Sequence, residues 1–127
     1  MEITFPGGKQ VEALYKGFTI KTDQSKANGG EGAFPAPFDL FLASIGTCVG
    51  IYVLNFCQRR EISSAGLKLF LEIEKSEDTG MVTKISIKIR LPDGFPDKYR
   101  DAVIKSAELC SVKRHMHNPP VFEITAG

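Results

Sequence analysis

Cysteine is scarce in this sequence, and its number is odd. Three cysteines in 127 residues are too few for the disulfide framework of a small secreted protein. The first residues also lack the basic patch and apolar run of a signal peptide. We therefore expect a cytoplasmic protein whose cysteines begin as free thiols.

An excess of charge of either sign is lacking as well. Sixteen basic residues stand against 15 acidic ones, for a formal net charge of +1. Nothing in this balance indicates attraction to nucleic acid or to an anionic membrane. Charge therefore favours a small neutral or amphipathic partner, or none.

A nucleotide-binding motif is missing too. Residues 24–36 contain Gly29, Gly30 and Gly32, but no Lys-Ser/Thr pair follows them and their spacing does not fit a dinucleotide fingerprint. We expect a flexible loop here, and no cofactor.

The hydrophobic pattern divides the rest of the chain into strands and two helices. Alternating residues predict short strands within the first 23 residues, with a turn at Lys16–Gly17, and a long antiparallel hairpin over 67–91. A second helix is predicted at about 97–111, and a closing strand at 119–124. No linker or repeat interrupts the pattern, and the length suits one domain over 1–127.

The segment 37–58 predicts a helix that is apolar nearly all the way round. It carries no charge between Asp39 and Arg59. Its length and the pair Gly46-x-x-x-Gly50 are compatible with a membrane span. A helix at the centre of a protein or oligomer has the same composition, and the amphipathic elements on both sides favour this interpretation.

Helical geometry separates the cysteines of this segment. Cys48 and Cys57 are nine positions apart, so at roughly 100° per residue they point in opposite directions. The residues that share the face of Cys48 are Phe41, Ser44, Tyr52 and Asn55. Cys110 lies on the apolar face of the second helix, which could pack against the first. The pair Cys48 and Cys110 could then approach disulfide distance, or could be inert packing.

Two segments of this sequence resemble a known family. The run PFDLFLASIGTC, which ends at Cys48, is similar to the central-helix signature of OsmC/Ohr proteins, and ELCSVK around Cys110 is similar to their second-cysteine motif. The order of predicted elements also fits, so the resemblance covers nearly the whole chain.

The resemblance implies an α+β fold, with antiparallel sheets packed around two central cysteine-bearing helices in an intertwined homodimer. It also implies reduction of organic or hydrogen peroxides without a cofactor. Cys48 would be the peroxidatic thiolate, Cys110 would resolve it to a disulfide, and an external dithiol would reduce the disulfide. Asp39, Phe41, Ser44, Tyr52 and Asn55 would support the site.

The sequence departs from the family beside the first cysteine. The family places an arginine in the N-terminal strands and a glutamate ten residues before that cysteine, whereas here no arginine precedes Arg59 and position 38 is Phe. Asp39 keeps an acid nearby, but on a straight helix it points away from the thiol. We expect the cation beside Cys48 to come from Lys16, Lys21, Arg59 or Arg60.

Two other interpretations remain open. Cys110, His115 and His117, with Cys57, could hold a metal, but their spacing matches no common zinc pattern, and we expect none. Alternatively, the protein binds a small hydrophobic molecule in a dimer-interface pocket, without efficient peroxidase activity.

Overall fold

The computed structural model describes all 127 residues. The chain forms two compact units, Met1–Ala43 and Ser44–Gly127. Both combine helix with antiparallel strands, so the expected α+β class is confirmed.

The first unit contains a three-stranded antiparallel sheet in the order β1–β2–β3. The strands are β1 (Glu2–Gly7), β2 (Gln10–Tyr15) and β3 (Phe18–Thr22). Tyr15 pairs with Phe18 across the predicted Lys16–Gly17 turn, where both turn residues have positive φ, 50° and 82°. Two left-handed residues form the tight turn that matches the twist of a hairpin. The predicted turn is confirmed.

The glycine-rich loop that follows β3 is organised around one buried carboxylate, that of Asp23. Its side chain is 1% exposed and accepts hydrogen bonds from the backbone N–H groups of Gln24, Glu31 and Ala33 at 2.7, 3.2 and 3.0 Å. These donors, led by Ala33 and joined by the backbone N–H of Gly32, outweigh the effect of burial and lower the pKa of Asp23. The loop is therefore held by hydrogen bonds to an anion, a feature that its glycine content did not indicate.

The helix α1 (Pro37–Gln58) has the predicted bounds. Proline suits its first position, because that position needs no hydrogen-bonded N–H. Asp39 Oδ2 accepts a hydrogen bond at 2.9 Å from the backbone N–H of Ala36, the residue before the helix. Asp39 therefore caps α1.

The core of the second unit forms on one face of α1. Its buried residues come from α1, from the loop before α2 and from the segment 103–110: Val49, Val53, Phe56, Cys57, Phe95, Val103, Ala107 and Cys110. By length and composition α1 could also cross a membrane, but its buried face belongs to this core.

The predicted hairpin is confirmed as β4 (Lys68–Lys75) and β5 (Val82–Arg90). Leu69, Leu71 and Ile73 pair with Ile89, Ile87 and Ile85, which places the apolar residues of both strands on one face.

The second helix differs from the prediction in both extent and number. A short 3₁₀ turn precedes α2 (Arg100–Ala107), and a separate helix, α3 (Ser111–His117), follows. The break lies at Cys110, whose φ of −45° and ψ of 120° are not helical. The prediction that Cys110 lies on a helix face is therefore wrong, because Cys110 lies at the junction between two helices. No glycine or proline marks this break in the sequence, and it places the fully buried side chain of Cys110 in the core.

The predicted closing strand is wrong. Residues 118–127 form no strand, and Val121, Phe122 and Ile124 are 96%, 82% and 95% exposed. The two prolines at 119 and 120 have no N–H to donate to a sheet.

Candidate functional site

The site forms where the middle of α1 meets the start of α3. Cys48 lies on α1 and is partly exposed, while Cys110 is fully buried immediately before α3. Each of these two cysteines affects the pKa of the other. The structure thus brings together the two cysteines that the sequence singled out, both as free thiols.

The residue after Cys110 completes this group. Ser111 Oγ lies 3.5 Å from Cys48 Sγ. Sequence analysis did not identify Ser111 as a site residue. The only available signal was its position next to Cys110, because the bend that turns its hydroxyl toward α1 has no local signature.

Hydrogen bonding makes Cys48 unusually acidic. Burial raises its pKa, but donors from the segment 110–112 outweigh burial and lower the pKa to about 7. These donors are the Ser111 hydroxyl, the Cys110 thiol and the backbone N–H groups of Val112 and Ser111. About half of Cys48 is therefore thiolate near neutral pH.

Cys110 behaves in the opposite way. Burial raises its pKa, and the neighbouring Cys48, as hydrogen-bond acceptor and as charge, raises it further. The pair therefore ionises in order, with Cys48 as the anion and Cys110 as the neutral thiol that donates to it.

Cys57 is outside this group. Its side chain is fully buried in the core, and burial raises its pKa. It has the character of a packing residue.

The predicted supporting residues are distributed along α1. Ser44 and Tyr52 are half-buried and Asn55 is exposed, and the Tyr52 carbonyl accepts a hydrogen bond from the Ser106 hydroxyl at 3.3 Å. Phe41 and Asp39 belong to the first unit. There the Phe41 ring lies 5.3 Å from that of Phe38. The roles assigned to these residues stay predictions.

No lysine or arginine is among the hydrogen-bond donors that lower the pKa of Cys48. The Arg60 guanidinium lies 3.8 Å from the centroid of the Phe56 ring and 5.4 Å from that of Tyr99. Lys21 pairs with Glu12 at 3.5 Å in the first unit. That a cation lies beside Cys48 stays a prediction.

The histidines of α3 are exposed. His115 Nδ1 donates to the Ser111 carbonyl at 2.7 Å. The structure gathers no group of three His, Cys, Asp or Glu side chains that could hold a metal ion.

A separate groove of about 600 Å³ lies between β5 and α2. Its walls are mostly apolar and include Ile85, Ile87, Ile89, Val103 and Ile104, and Val49 of α1 also contributes. Neither Cys48 nor Cys110 lines it.

Comparison with solved structures supports this architecture. The chain is similar to a protein of Psychrobacter arcticus 273-4 named for osmotic stress induction and detoxification response, with a TM-score of 0.78, 24% identity and coverage of 95% of this chain and 89% of that one. It is also similar to an organic hydroperoxide resistance protein OsmC from Legionella pneumophila, with a TM-score of 0.56, 16% identity and coverage of 91% and 85%. At these identities the likeness shows the fold.

Sequence comparison identifies the family. A protein of Methanocaldococcus jannaschii is 31% identical over a match that covers 82% of this chain and 60% of that protein, so the chain spans about 60% of the relative's length. The family model described as OsmC-like protein matches residues 29–125, a range that includes both site cysteines. The chain therefore belongs to the OsmC-like family, and α1 is the core helix of a soluble fold.

Proposed function

We propose that this protein is a thiol-dependent peroxidase that reduces organic or hydrogen peroxides through Cys48 and Cys110. The observation that carries the proposal is the meeting of a partly exposed Cys48 on α1 with the bend that holds the buried Cys110, in environments that shift the two pKa values in opposite directions. The pKa of Cys48 is lowered to about 7, while that of Cys110 is raised. A nucleophilic thiolate beside a protonated thiol suits a peroxidatic and resolving pair. The name of the Legionella pneumophila neighbour, organic hydroperoxide resistance protein, supports the same substrate class.

The proposed cycle balances in three steps. The Cys48 thiolate attacks one peroxide oxygen, the O–O bond breaks, and the departing alkoxide takes a proton from solvent, leaving Cys48 as a sulfenic acid. The Cys110 thiol then attacks the Cys48 sulfur, forming the disulfide and releasing water. An external dithiol exchanges with this disulfide, becomes oxidised, and restores both thiols.

In this cycle Cys110 protects Cys48 from over-oxidation. A sulfenic acid that is not captured reacts with more peroxide and becomes a sulfinic acid, which a dithiol does not reduce. Cys110 directly precedes Ser111, whose hydroxyl lies 3.5 Å from the Cys48 sulfur, and the two cysteines shift each other's pKa. Capture therefore needs only a local movement.

We further propose that the protein works in the cytoplasm as a homodimer. Cytoplasmic dithiols would supply the reductant, and the three free cysteines suit a reducing compartment. Exposed apolar side chains support a partner copy, including Ile51 on α1 and Val121, Phe122 and Ile124 near the C-terminus. Sedimentation at micromolar concentration is expected to give twice the 13.9 kDa chain mass, and a stable monomer would refute the dimer.

The catalytic proposal is tested by peroxide consumption with dithiothreitol or a dihydrolipoyl donor. An alkyl hydroperoxide and hydrogen peroxide are compared for the wild type and for Cys48→Ser, Cys110→Ser and Cys57→Ala. We expect Cys48→Ser to abolish turnover, Cys110→Ser to lose it during repeated cycles, and Cys57→Ala to retain it. Consumption that persists in Cys48→Ser would refute the proposal.

The product of one turnover gives a second test. After one equivalent of an alkyl hydroperoxide, digestion without reductant should release a linked Cys48–Cys110 peptide that dithiothreitol separates. Cys48 that stays a free thiol, or becomes a sulfinic acid while Cys110 is unchanged, would contradict the two-cysteine cycle.

The groove beside β5 favours one alternative function, the binding of a small hydrophobic molecule. Its volume of about 600 Å³ lies in the range of small-molecule sites. Titration with a fluorescent fatty acid tests this function. Binding that Ile104→Glu abolishes, in a protein that consumes no peroxide, would favour the alternative over the peroxidase.

A further inference from the structure

We propose that the Ser111 hydroxyl stabilises the Cys48 thiolate, the task for which the sequence led us to expect a cation. Ser111 Oγ lies 3.5 Å from Cys48 Sγ, a contact across 63 positions of the chain that joins α3 to α1. The proposal assigns an activating role to Ser111 and rests on the proposed function only for the catalytic consequence.

The hydrogen bond distinguishes the two protonation states of Cys48. While Cys48 is a thiol, either the sulfur or the hydroxyl can donate. Once Cys48 is a thiolate, the sulfur can only accept, so the hydroxyl must donate. Hydrogen bonds to charged groups are stronger than those between neutral groups. The contact therefore favours the anion over the neutral thiol.

The surrounding backbone holds Ser111 in place. The Arg114 N–H donates to the Cys110 carbonyl at 3.0 Å, and His115 Nδ1 donates to the Ser111 carbonyl at 2.7 Å. The buried side chain of Cys110 anchors the same bend in the core. Ser111 thus presents its hydroxyl from a position that is fixed before Cys48 ionises, so ionisation requires little rearrangement.

The placement also links activation to resolution. Cys110 and Ser111 are consecutive, and both act on Cys48: Ser111 Oγ lies 3.5 Å from its sulfur, and the Cys110 thiol, as hydrogen-bond donor, lowers its pKa. The same bend therefore positions both the Ser111 hydroxyl, which stabilises the thiolate, and the Cys110 thiol, which captures the sulfenic acid. A neutral donor performs the first task without a second charge at the site.

The test measures alkylation of Cys48 by iodoacetamide as a function of pH, resolved by peptide mass spectrometry. It compares the wild type with Ser111→Ala and with the nearly isosteric pair Ser111→Thr and Ser111→Val, of which only Thr keeps the hydroxyl. Ser106→Ala is the matched control, because its hydroxyl bonds the Tyr52 carbonyl and not Cys48. Circular dichroism confirms that each variant is folded.

We expect the wild-type midpoint near pH 7, with Ser111→Thr and Ser106→Ala close to it. Ser111→Ala and Ser111→Val should titrate at higher pH, and at pH 7 their rates should fall by about fivefold or more. At high pH their rates should equal or exceed the wild-type rate, because a thiolate of higher pKa is a better nucleophile.

An unchanged midpoint in both Ser111→Ala and Ser111→Val would overturn the proposal. A fall by the same factor at every pH would overturn it too, because that result means lost access to the thiol. If Ser111→Ala does not fold, the comparison of Thr with Val decides. None of these measurements uses peroxide. Ser111 can therefore prove to stabilise the thiolate in a protein without peroxidase activity, and a peroxidase can prove not to depend on Ser111.

Discussion

Cys48 and Cys110 shift each other's acidity in opposite directions: as hydrogen-bond donor the Cys110 thiol lowers the pKa of Cys48, and as acceptor and charge Cys48 raises the pKa of Cys110. Burial raises the pKa of each, but only Cys48 has enough donors to offset it. The two thiols belong to one coupled pair in which the first proton to leave is that of Cys48.

This order predicts the selectivity of alkylation. In the folded wild type at neutral pH, iodoacetamide should label Cys48 first, with Cys57 and Cys110 protected by burial and by their raised pKa values. Peptide mass spectrometry after short exposure measures the three sites separately. Equal labelling of Cys48 and Cys110 at pH 7 would contradict the assignment of the thiolate to Cys48.

The lowered pKa of Cys48 also predicts how stability depends on pH. Above about pH 8.5, the usual pKa of an unfolded thiol, both states have lost the proton and the folded state keeps its full advantage. As the pH falls through the folded pKa of about 7, both states become protonated and the advantage is lost. Relative to Cys48→Ser, the unfolding free energy of the wild type should therefore rise by about 1–2 kcal/mol from pH 6.5 to pH 8.5.

Urea titration at the two pH values measures this difference. Cys57 and Cys110 have raised pKa values, so their linkage has the opposite sign and acts mainly above this range. If the unfolding free energy of the wild type relative to Cys48→Ser stays constant or falls as the pH rises, folding does not lower the pKa of Cys48.

Cys57 should matter for stability and not for chemistry. It is fully buried among Val53, Phe56 and other core residues, so Cys57→Ala leaves a small void. We expect a loss of about 1 kcal/mol in unfolding free energy with Cys48 reactivity retained. Urea denaturation and alkylation together measure both effects. Loss of peroxide consumption in Cys57→Ala but not in Cys110→Ser would mean that the wrong cysteines have been paired.

The sequence was most informative where local pattern decides the structure. The hairpin and the shared face of its apolar residues follow from alternation, because a strand places every second residue on the same face. The bounds of α1 follow from a largely apolar segment that begins at Pro37, carries no charge after Asp39 and ends before two arginines. The helical repeat alone predicts that Cys48 and Cys57 are not partners, and in the structure Cys57 is buried while Cys48 is partly exposed.

The features that were missed depend on contacts between distant residues. The bend at Cys110 carries no glycine or proline and exists because that side chain is buried in the core. Ser111 acquires its place beside Cys48 through this bend. Nothing in the sequence singles out Asp23, and only the fold reveals the backbone N–H groups of Glu31 and Ala33 around its carboxylate.

The C-terminal end of α1 contains strain that can be removed. Ile62 N–H donates to the Cys57 carbonyl at 3.0 Å and Glu61 N–H to that of Gln58 at 3.1 Å, the pattern of a helix end that requires a left-handed residue. Glu61 occupies that position with a φ of 56°. Glu61→Gly should therefore stabilise the protein by about 0.5–1 kcal/mol.

Glu61→Asn is the graded control, because Asn tolerates the left-handed conformation better than Glu. Thermal unfolding should rank the three proteins as Gly, Asn and Glu in decreasing stability. A less stable Glu61→Gly variant would mean that the Glu61 side chain contributes more than its strain costs.

The loop around Asp23 predicts a sharp difference between two glycines. A Cβ at Gly30 would overlap the Gln24 carbonyl oxygen and lie 2.7 Å from Asp23 Oδ1. A Cβ at Gly32 would meet nothing within 4 Å, although its φ of 68° disfavours a side chain. Gly32→Ala should lower the unfolding free energy by about 1–2 kcal/mol through backbone strain alone, as measured by urea denaturation.

Gly30→Ala should lower the unfolding free energy further, because the backbone that carries the Asp23 hydrogen bonds must move. Hydrogen exchange at the N–H groups of Glu31 and Ala33 should accelerate in Gly30→Ala and change little in Gly32→Ala. Equal effects of the two substitutions on stability and exchange would contradict the close packing of this loop.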